Sequence, residues 1–255
     1  MDLADRIAAA GLEGERVRAE VVEGGEVFEV GGLLVALSNL PASELNGTRV
    51  IRDPDDAPTA LEAARAVFRG RGHPFFGIEV EVGRHPAVED AIREAGLRRV
   101  EWWTTMAAPI AALPPERLPD HVEIREALHH DDLDAVRSVE VATFGTPRDI
   151  AERFVGTRML EDDRVRIYTA WHEGEPVGEA SGYLLHDTVG IFGVGVVEEA
   201  RRRGIGAALT LRAARAFPGR TDLAWLQPSD MARAMYADLG FQPVSDWEVW
   251  IAREG

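Results

Sequence analysis

The chain of 255 residues contains no cysteine and no lysine. The absence of cysteine excludes disulfide bonds, thiolate metal sites and a thiol nucleophile, and it is the usage expected of a cytoplasmic protein. Because all of the Lys+Arg side chains are arginine, the N-terminus is the only aliphatic amine of the chain. A phosphate-binding loop of the type G-x-x-x-x-G-K-[ST] also requires lysine and is therefore excluded.

Long apolar runs and an excess of positive charge are also missing. No apolar run approaches the length of a membrane span, and residues 1–5 lack the basic and apolar segments of a signal peptide. The formal net charge of −16 disfavours nucleic acid as a partner. The seven histidines do not show metal-ligand spacing. We therefore expect a cytoplasmic protein without a metal and without a nucleic-acid or membrane partner.

The most informative segment that is present is residues 201–207, with the sequence RRRGIGA. It lies between an apolar strand predicted over 189–197 and a helix predicted over 207–217. A glycine-rich turn in that order directs backbone N–H groups toward one place at the positive end of the helix dipole, which favours an anion such as phosphate. A dinucleotide fingerprint does not fit, because Leu209 stands at its third glycine position.

A second informative block follows the loop. Ala232, Tyr236, Gly240 and Phe241 have the spacing A-x-x-x-Y-x-x-x-G-F, which predicts a helix over 229–239 that ends at a glycine. The R-x-x-G-x-G loop and this block, with a short strand between them, resemble the GNAT family of acyl-CoA N-acetyltransferases. The resemblance implies an α/β (α+β) fold, the GNAT fold, with a mixed and mostly antiparallel sheet.

The resemblance also implies acetyl-CoA as co-substrate and indicates where it binds. The CoA pyrophosphate is expected on the loop amides, and the pantetheine arm on the strand before the loop, which splays from its neighbour in this family. Tyr236 is expected to protonate the leaving thiolate as a general acid. The expected binding residues are Val194, Gly195, Val196, Arg201, Arg202, Arg203, Gly204, Ile205, Gly206, Ala207 and Ser229, the last of which stands where many members carry asparagine.

Two glycines inside the strand before the loop, Gly193 and Gly195, predict a β-bulge or a close backbone approach. A backbone N–H at this place is a candidate donor to the oxyanion that develops during acyl transfer. Such a preorganised donor contributes about 3 kcal/mol in other enzymes.

The general base is not identified by the sequence. Many members carry a carboxylate on the strand before the loop, and residues 190–197 contain none. Some members use a glutamate at a position that is Ala224 here. Glu198, which stands where many members have proline, and Glu199 are expected only to modulate the arginines. The other candidates are Glu179, His186, Asp187 and Glu140, and a chain of water molecules is an alternative.

A proline-rich segment divides the chain into three predicted parts. They are a degenerate GNAT-like α/β domain without a CoA loop (1–108), a linker (109–120) and a catalytic GNAT domain (121–255). In the C-terminal part, helices are predicted over 131–144 and 149–160, and strands over 122–127, 165–171, 177–185, 223–226 and 248–252, the last closing the sheet.

The N-terminal part repeats the order of the second half of the C-terminal part. After a strand at 48–51 come a helix over 58–69, a strand over 75–81, a helix over 86–95 and a strand over 99–106. The run RGRG at 69–72 has the composition of a CoA loop, but it follows a helix and precedes a strand. The N-terminal domain is therefore predicted to bind no CoA and to have a structural or substrate-shaping role.

These patterns predict an N-acyltransferase that moves acetyl from acetyl-CoA to a primary amine by direct attack. A small metabolite, an antibiotic-like amine and a peptide N-terminus remain open as acceptors. The alternative is a non-catalytic acyl-CoA-binding sensor or an interaction module, and release of thiol from acetyl-CoA across a panel of amines distinguishes the two.

Overall fold

The computed structural model describes residues 2–41 and 45–253, which form eight α-helices and eleven β-strands in those ranges. The elements are α1 (Leu3–Glu20), β1 (Glu26–Val30), β2 (Leu33–Leu37), β3 (Asn46–Val50), α2 (Ala57–Gly70), β4 (Phe75–Glu81), α3 (Pro86–Glu94), β5 (Arg98–Pro109), β6 (Val122–Glu126), α4 (Leu133–Phe144), α5 (Arg148–Phe154), α6 (Arg158–Glu161), β7 (Val165–His172), β8 (Glu175–Leu185), β9 (Thr188–Val196), α7 (Ile205–Ala214), β10 (Leu223–Leu226), α8 (Arg233–Asp238) and β11 (Gln242–Arg253). None of these described helices combines the length and hydropathy needed to cross a membrane.

The chain divides into two compact units that alternate along the sequence. The described residues of the first unit are 2–14, 21–23 and 106–243, and those of the second are 15–20, 24–41, 45–105 and 244–253. The division falls within α1, β5 and β11, whereas the sequence had suggested a single boundary at 109–120.

The sheet of the first unit has the order β5-β10-β9-β8-β7-β6, with Met106–Pro109 as its part of β5. Only the β9–β10 pair is parallel among the registered pairs of this unit. Helix α7 lies on one face, where a Cβ atom added to Gly178 would lie 2.9 Å from Leu209 Cδ1. Helix α4 lies on the other face, where a Cβ atom added to Gly195 would lie 2.9 Å from Thr143 Cγ2. The predicted mixed, mostly antiparallel sheet is confirmed.

The sheet of the second unit has the order β1-β2-β3-β4-β11-β5. Here β3 and β4 are parallel, and the pairs β1–β2, β2–β3 and β4–β11 are antiparallel. Helices α2 and α3 place their apolar side chains on the strands, and Phe68, Phe76, Ile78 and Ile92 are fully buried in this core.

The pairing of the last strand corrects the sequence analysis. Residues 248–252 were predicted to close the sheet of the C-terminal domain, but they belong to β11 and pair with β4 of the second unit, with Trp250 opposite Ile78. The Trp250 side chain packs against the second core, and the Arg49 guanidinium lies 4.8 Å from the centre of the Trp247 ring. Burial of these aromatic rings therefore fixes the strand in the second unit.

Two helical predictions and one region without a prediction also differ from the structure. The helix predicted over 149–160 is two helices, α5 and α6, separated near Gly156. The helix predicted over 229–239 is shorter, because α8 begins at Arg233 after a turn. No element was predicted for the first 47 residues, where α1, β1 and β2 lie.

The proline-rich segment 109–120 packs on the first unit. The Glu116 carboxylate receives two hydrogen bonds from Arg212 of α7, of 2.6 and 2.8 Å. Arg215 donates to the carbonyl groups of Leu113 and Pro114 at 2.9 and 2.7 Å. Since a flexible linker makes no such bonds, this part of the segment is fixed to α7 and does not behave as a free spacer.

Candidate active site

Strand β9 contains the predicted bulge. Its register with β8 shifts between Glu179 and Ser181, so that Gly193 and Val194 together oppose one residue of β8. Gly193 has φ of +60°, the left-handed conformation that glycine supplies at a bulge of this kind. Gly195 follows opposite Glu179. The bulge turns the backbone of residues 194–196 relative to the rest of the strand.

The end of β9 separates from β10. The parallel pairing of the two strands extends from Thr188 to Gly190 of β9, although β9 continues to Val196 and remains paired with β8 there. Val194, Gly195 and Val196 thus lie beyond the registered pairing with β10. A strand that has lost a neighbour presents backbone N–H and C=O groups to an extended ligand.

The loop after β9 leads directly into α7. A short 3₁₀ turn at Glu198–Ala200 precedes the three arginines, and the Arg201 Nε donates to the Val196 carbonyl at 2.9 Å. Arg202 and Arg203 are exposed. Arg202 has φ of +58° and Gly204 has φ of +87°, so two residues in the left-handed region reverse the chain within a short distance.

The N-terminus of α7 has no side-chain cap. Gly204 is the N-cap residue and carries no side chain, and the first hydrogen bond of the helix runs from Ala208 N to Gly204 O at 3.0 Å. The N–H groups of Ile205, Gly206 and Ala207 consequently have no acceptor within the helix. This is the arrangement that binds an anion such as a phosphate group.

The structure of α8 and its C-terminal end accounts for the A-x-x-x-Y-x-x-x-G-F spacing in the sequence. The Phe241 N–H donates to the Tyr236 carbonyl at 3.0 Å, and the Gly240 N–H to the Ala237 carbonyl at 3.0 Å. With Gly240 at φ of +101°, these two bonds form a Schellman motif. The rings of Tyr236 and Phe241 lie 6.0 Å apart edge to face, which is the apolar contact that accompanies this motif.

The Tyr236 side chain lies next to the start of α7. The Thr210 hydroxyl, which donates to the Gly206 carbonyl at 2.8 Å, interacts with the Tyr236 hydroxyl. Burial raises the pKa of Tyr236 to about 12, against a smaller lowering effect from Thr210. Tyr236 is therefore a neutral phenol at any physiological pH, which is the form that can donate a proton.

Residues from three elements meet around Gly206. A Cβ atom added to this glycine would lie 3.5 Å from the Met235 sulfur and 3.7 Å from Val196 Cγ2. The structure thereby brings together the end of β9, the first turn of α7 and the helix that carries Tyr236. Ser229 is exposed in the turn before α8, where its carbonyl accepts from Ala232 N and Arg233 N. Thr210 was not predicted from the sequence, where it is one polar residue in an apolar helix.

The candidate general bases lie in different parts of the structure. His186 and Asp187 form the turn between β8 and β9, roughly 24 Å or more along the strand from Glu179 at about 3.4 Å per residue. Asp187 is bound to Arg6 at 2.8 Å. Glu198 and Glu199 are exposed beside the loop.

Glu179 and Glu140 are the two candidates that the structure brings together. Glu179 is buried opposite Gly195, and its carboxyl interacts with that of Glu140 on α4. Burial, followed by the negative charge and the hydrogen bond of Glu140, raises the pKa of Glu179 well above its usual range. Within the described ranges, three or more metal-binding side chains do not gather at any place.

The RGRG run at 69–72 has a different environment. It follows the C-terminus of α2, which is the negative end of a helix dipole. Arg71 is paired with Glu26 at 2.7 Å, and Arg69 is paired with Glu62. These arginines neutralise neighbouring carboxylates rather than converging on one anion site.

Comparison with known proteins agrees with the geometry. The model of the acetyltransferase (GNAT) family matches residues 133–241. No curated protein sequence matches the chain. A solved GCN5-related N-acetyltransferase from Kribbella flavida is similar over 100% of this chain and 97% of its own, with 23% identity and a TM-score of 0.79.

Two further solved structures are similar over most of the chain. A GCN5-related N-acetyltransferase from Sphaerobacter thermophilus has 17% identity and a TM-score of 0.66, over 88% of this chain and 82% of its own. A tandem GNAT protein from the clavulanic acid biosynthesis pathway has 18% identity and a TM-score of 0.64, over 89% of this chain and 79% of its own. At these identities the likeness shows the fold, which the two sequence blocks had predicted.

Proposed function

We propose that the protein transfers the acetyl group of acetyl-CoA to a primary amine, because residues 133–241 match the model of the acetyltransferase (GNAT) family. The reaction is a direct attack of the amine, and a thioester intermediate on the enzyme is excluded because the chain has no cysteine. A degenerate GNAT-like domain in the N-terminal part completes the proposal and fits the similarity to a tandem GNAT protein.

One observation supports the proposal. The uncapped N-terminus of α7, the end of β9 beyond its pairing with β10, and the neutral hydroxyl of Tyr236 meet around Gly206. The N–H groups at the start of α7 fit a pyrophosphate, with Arg202 and Arg203 adding positive charge. The freed backbone of Val194–Val196 fits the extended pantetheine arm of an acyl-CoA. Acetyl-CoA supplies the acyl group and the thiolate leaving group.

The residues of the chain then have distinct tasks. A backbone N–H at the bulge of β9 is placed to donate to the developing oxyanion, an effect worth about 3 kcal/mol in other enzymes. Tyr236 protonates the departing sulfur. Glycine at position 195 lets α4 pack closely on β9, because a methyl group there would meet Thr143 and Phe144 at 2.9 and 3.0 Å.

The test is release of thiol from acetyl-CoA across a panel of amines that includes small metabolites, aminoglycoside-type amines and peptides with free N-termini. We expect thiol release that depends on one class of amine, with the acetylated amine found by mass spectrometry. Binding of acetyl-CoA in a calorimeter without turnover of any amine would contradict the enzyme and favour an acyl-CoA sensor.

A further inference from the structure

The side chain of Glu179 lies on the face of the sheet that α4 covers. Directly opposite residues of antiparallel strands point to the same face of a sheet, and Glu179 is opposite Gly195. A Cβ atom on Gly195 would contact Thr143 and Phe144 of α4. The Glu179 side chain therefore lies on the α4 face, beside the stretch of β9 at which the acyl group is proposed to bind.

Glu179 is buried with one oxygen unsatisfied. The residue is 5% exposed, and its Oε1 atom has no hydrogen-bond partner among the described residues. The hydroxyl of Thr143, on the same face, is also buried without a partner there. Buried polar atoms in folded proteins are almost always hydrogen-bonded, so these two unsatisfied atoms are candidates to bind a polar ligand group.

Burial and the neighbouring carboxyl of Glu140 raise the pKa of Glu179. Two carboxyl groups in contact form a hydrogen bond only when one of them is protonated, since carboxylates only accept. Glu140 is held in place by Thr146, whose hydroxyl donates to Glu140 Oε1 at 2.7 Å. Thr146 reaches back because Gly145 ends α4 with φ of +70° and reverses the chain.

We propose that Glu179 and Glu140 form a carboxyl pair that shares one proton, receives the acceptor as a primary ammonium ion and removes its proton. The inference rests on the function proposed above and specifies its acceptor as a cationic primary amine. Glu179 is the residue that touches the amine, through Oε1. Glu140 acts through Glu179 and is a positioning residue, and Thr143 is a second hydrogen-bond partner for the ammonium group.

The proton balance of the step closes. The ammonium gives one proton to the ionised Glu179, and the neutral amine nitrogen forms the C–N bond to the acyl carbon. The C–S bond breaks, and the sulfur takes the Tyr236 proton. The new amide nitrogen loses its remaining excess proton to water, Glu179 returns the proton that it accepted to solvent, and Tyr236 is reprotonated from solvent. One proton is released for each amide formed.

The charged surroundings of Glu179 are simple. Its register neighbours are Thr169 on β7 and Gly195 on β9, which carry no charge. From α4, Glu140 is the charged group that acts on it, and α7 packs on the opposite face of the sheet. Ionisation of Glu179 is therefore governed by burial and by Glu140, so an entering cation favours the ionised form.

The first test needs no substrate. A carboxyl whose pKa is raised by folding stabilises the native state fully at a pH below the unfolded glutamate pKa, and that stability is lost as the pH rises through the folded pKa. Denaturant unfolding at several pH values should show this loss in the wild type and a smaller one in Glu179→Gln. Equal pH dependence of the two proteins would overturn the shared proton.

The second test measures kcat/KM against pH with the amine identified by the panel. We expect Glu179→Gln to lower kcat/KM by about 10²-fold or more, as loss of a general base does. Glu140→Gln should move the acidic limb of the profile to lower pH, because the neighbouring negative charge is gone. Glu175→Gln, an exposed change on the same strand, is the control and should leave the profile unchanged.

The outcomes separate this inference from the proposed function. Wild-type rate and profile in Glu179→Gln, with amine acetylation intact, would overturn the carboxyl pair and leave the acetyltransferase standing. If no amine is acetylated, the proposed function fails, and the pair is then tested by NMR titration with n-butylamine and with uncharged n-butanol. Binding of the amine that Glu179→Gln loses supports the pair, and equal binding of both probes overturns it.

Discussion

At the scale of single residues, the proposed chemistry depends most on the hydroxyl of Tyr236. Replacement by phenylalanine removes the proton donor and keeps the ring contact with Phe241. We expect Tyr236→Phe to lower kcat by about 10²–10⁴-fold, the range of general acid–base catalysis, with little change in acetyl-CoA affinity. Because its pKa is raised to about 12, the wild-type rate should show no loss from tyrosine ionisation between about pH 8 and 10.

Tyr168 provides a matched control for this experiment. It is also buried, and burial likewise raises its pKa to about 12. It lies on β7 rather than beside α7's first turn. Tyr168→Phe should therefore leave kcat unchanged. If both variants have the wild-type kcat, Tyr236 is not the acid and its spacing from Gly240 and Phe241 serves only the end of α8.

Individual residues were predicted to different extents from sequence. Tyr236 was predictable because its position relative to Gly240 and Phe241 is set within one helix and its cap. The Glu179–Glu140 pair was not, although both residues were candidates. Its formation depends on the β8–β9 register across a bulge and on the placement of α4, and both are long-range properties.

At the scale of elements, the two equivalent helices α7 and α2 differ at their N-termini. Each follows a strand and precedes a strand parallel to the first. Helix α7 begins at Gly204 without a side-chain cap, whereas α2 begins at Asp56, whose carboxylate accepts from Thr59 N at 3.1 Å. One helix end is free for a phosphate group, and the other already holds an anion of its own chain.

An anionic side chain placed at the start of α7 should exclude the phosphate group. We expect Gly204→Glu to weaken acetyl-CoA binding at least about tenfold relative to Gly204→Gln, a difference of about 1.4 kcal/mol. The glutamine variant is the control, since both carry the cost of about 1–2 kcal/mol for a side chain at φ of +87°. Equal affinity of the two variants in a calorimetric titration would contradict the assignment of this site.

There are physical reasons why some elements were not predicted from the sequence. Helix α1 contains Gly11 and Gly14, and each glycine costs about 1 kcal/mol of helix propensity relative to alanine. Packing outweighs that cost, because a Cβ atom on Gly14 would lie 3.3 Å from Leu185 Cδ1. The partner of β11 was missed because a strand's own pattern does not identify the strand that pairs with it.

At the scale of the whole molecule, helix α3 of the second unit ends in the same way as α8 but lacks the tyrosine. The Leu97 N–H donates to the Ile92 carbonyl at 3.3 Å and the Gly96 N–H to the Arg93 carbonyl at 3.1 Å, a second Schellman motif. Ile92 thus stands at the position that Tyr236 occupies in α8. The repeat supports a degenerate copy that lacks the proton donor.

One molecule of acetyl-CoA should therefore bind per chain. In the second unit the helix N-terminus is capped by Asp56, the tyrosine position is Ile92, and Arg71 is paired with Glu26. We expect isothermal titration to give a stoichiometry of one for the wild type and for Arg71→Gln, and no measurable binding for Gly204→Glu at the same concentrations. A stoichiometry of two would place a second site in the N-terminal domain. Residual binding in Gly204→Glu that is lost when Arg71→Gln is added to it would lead to the same conclusion.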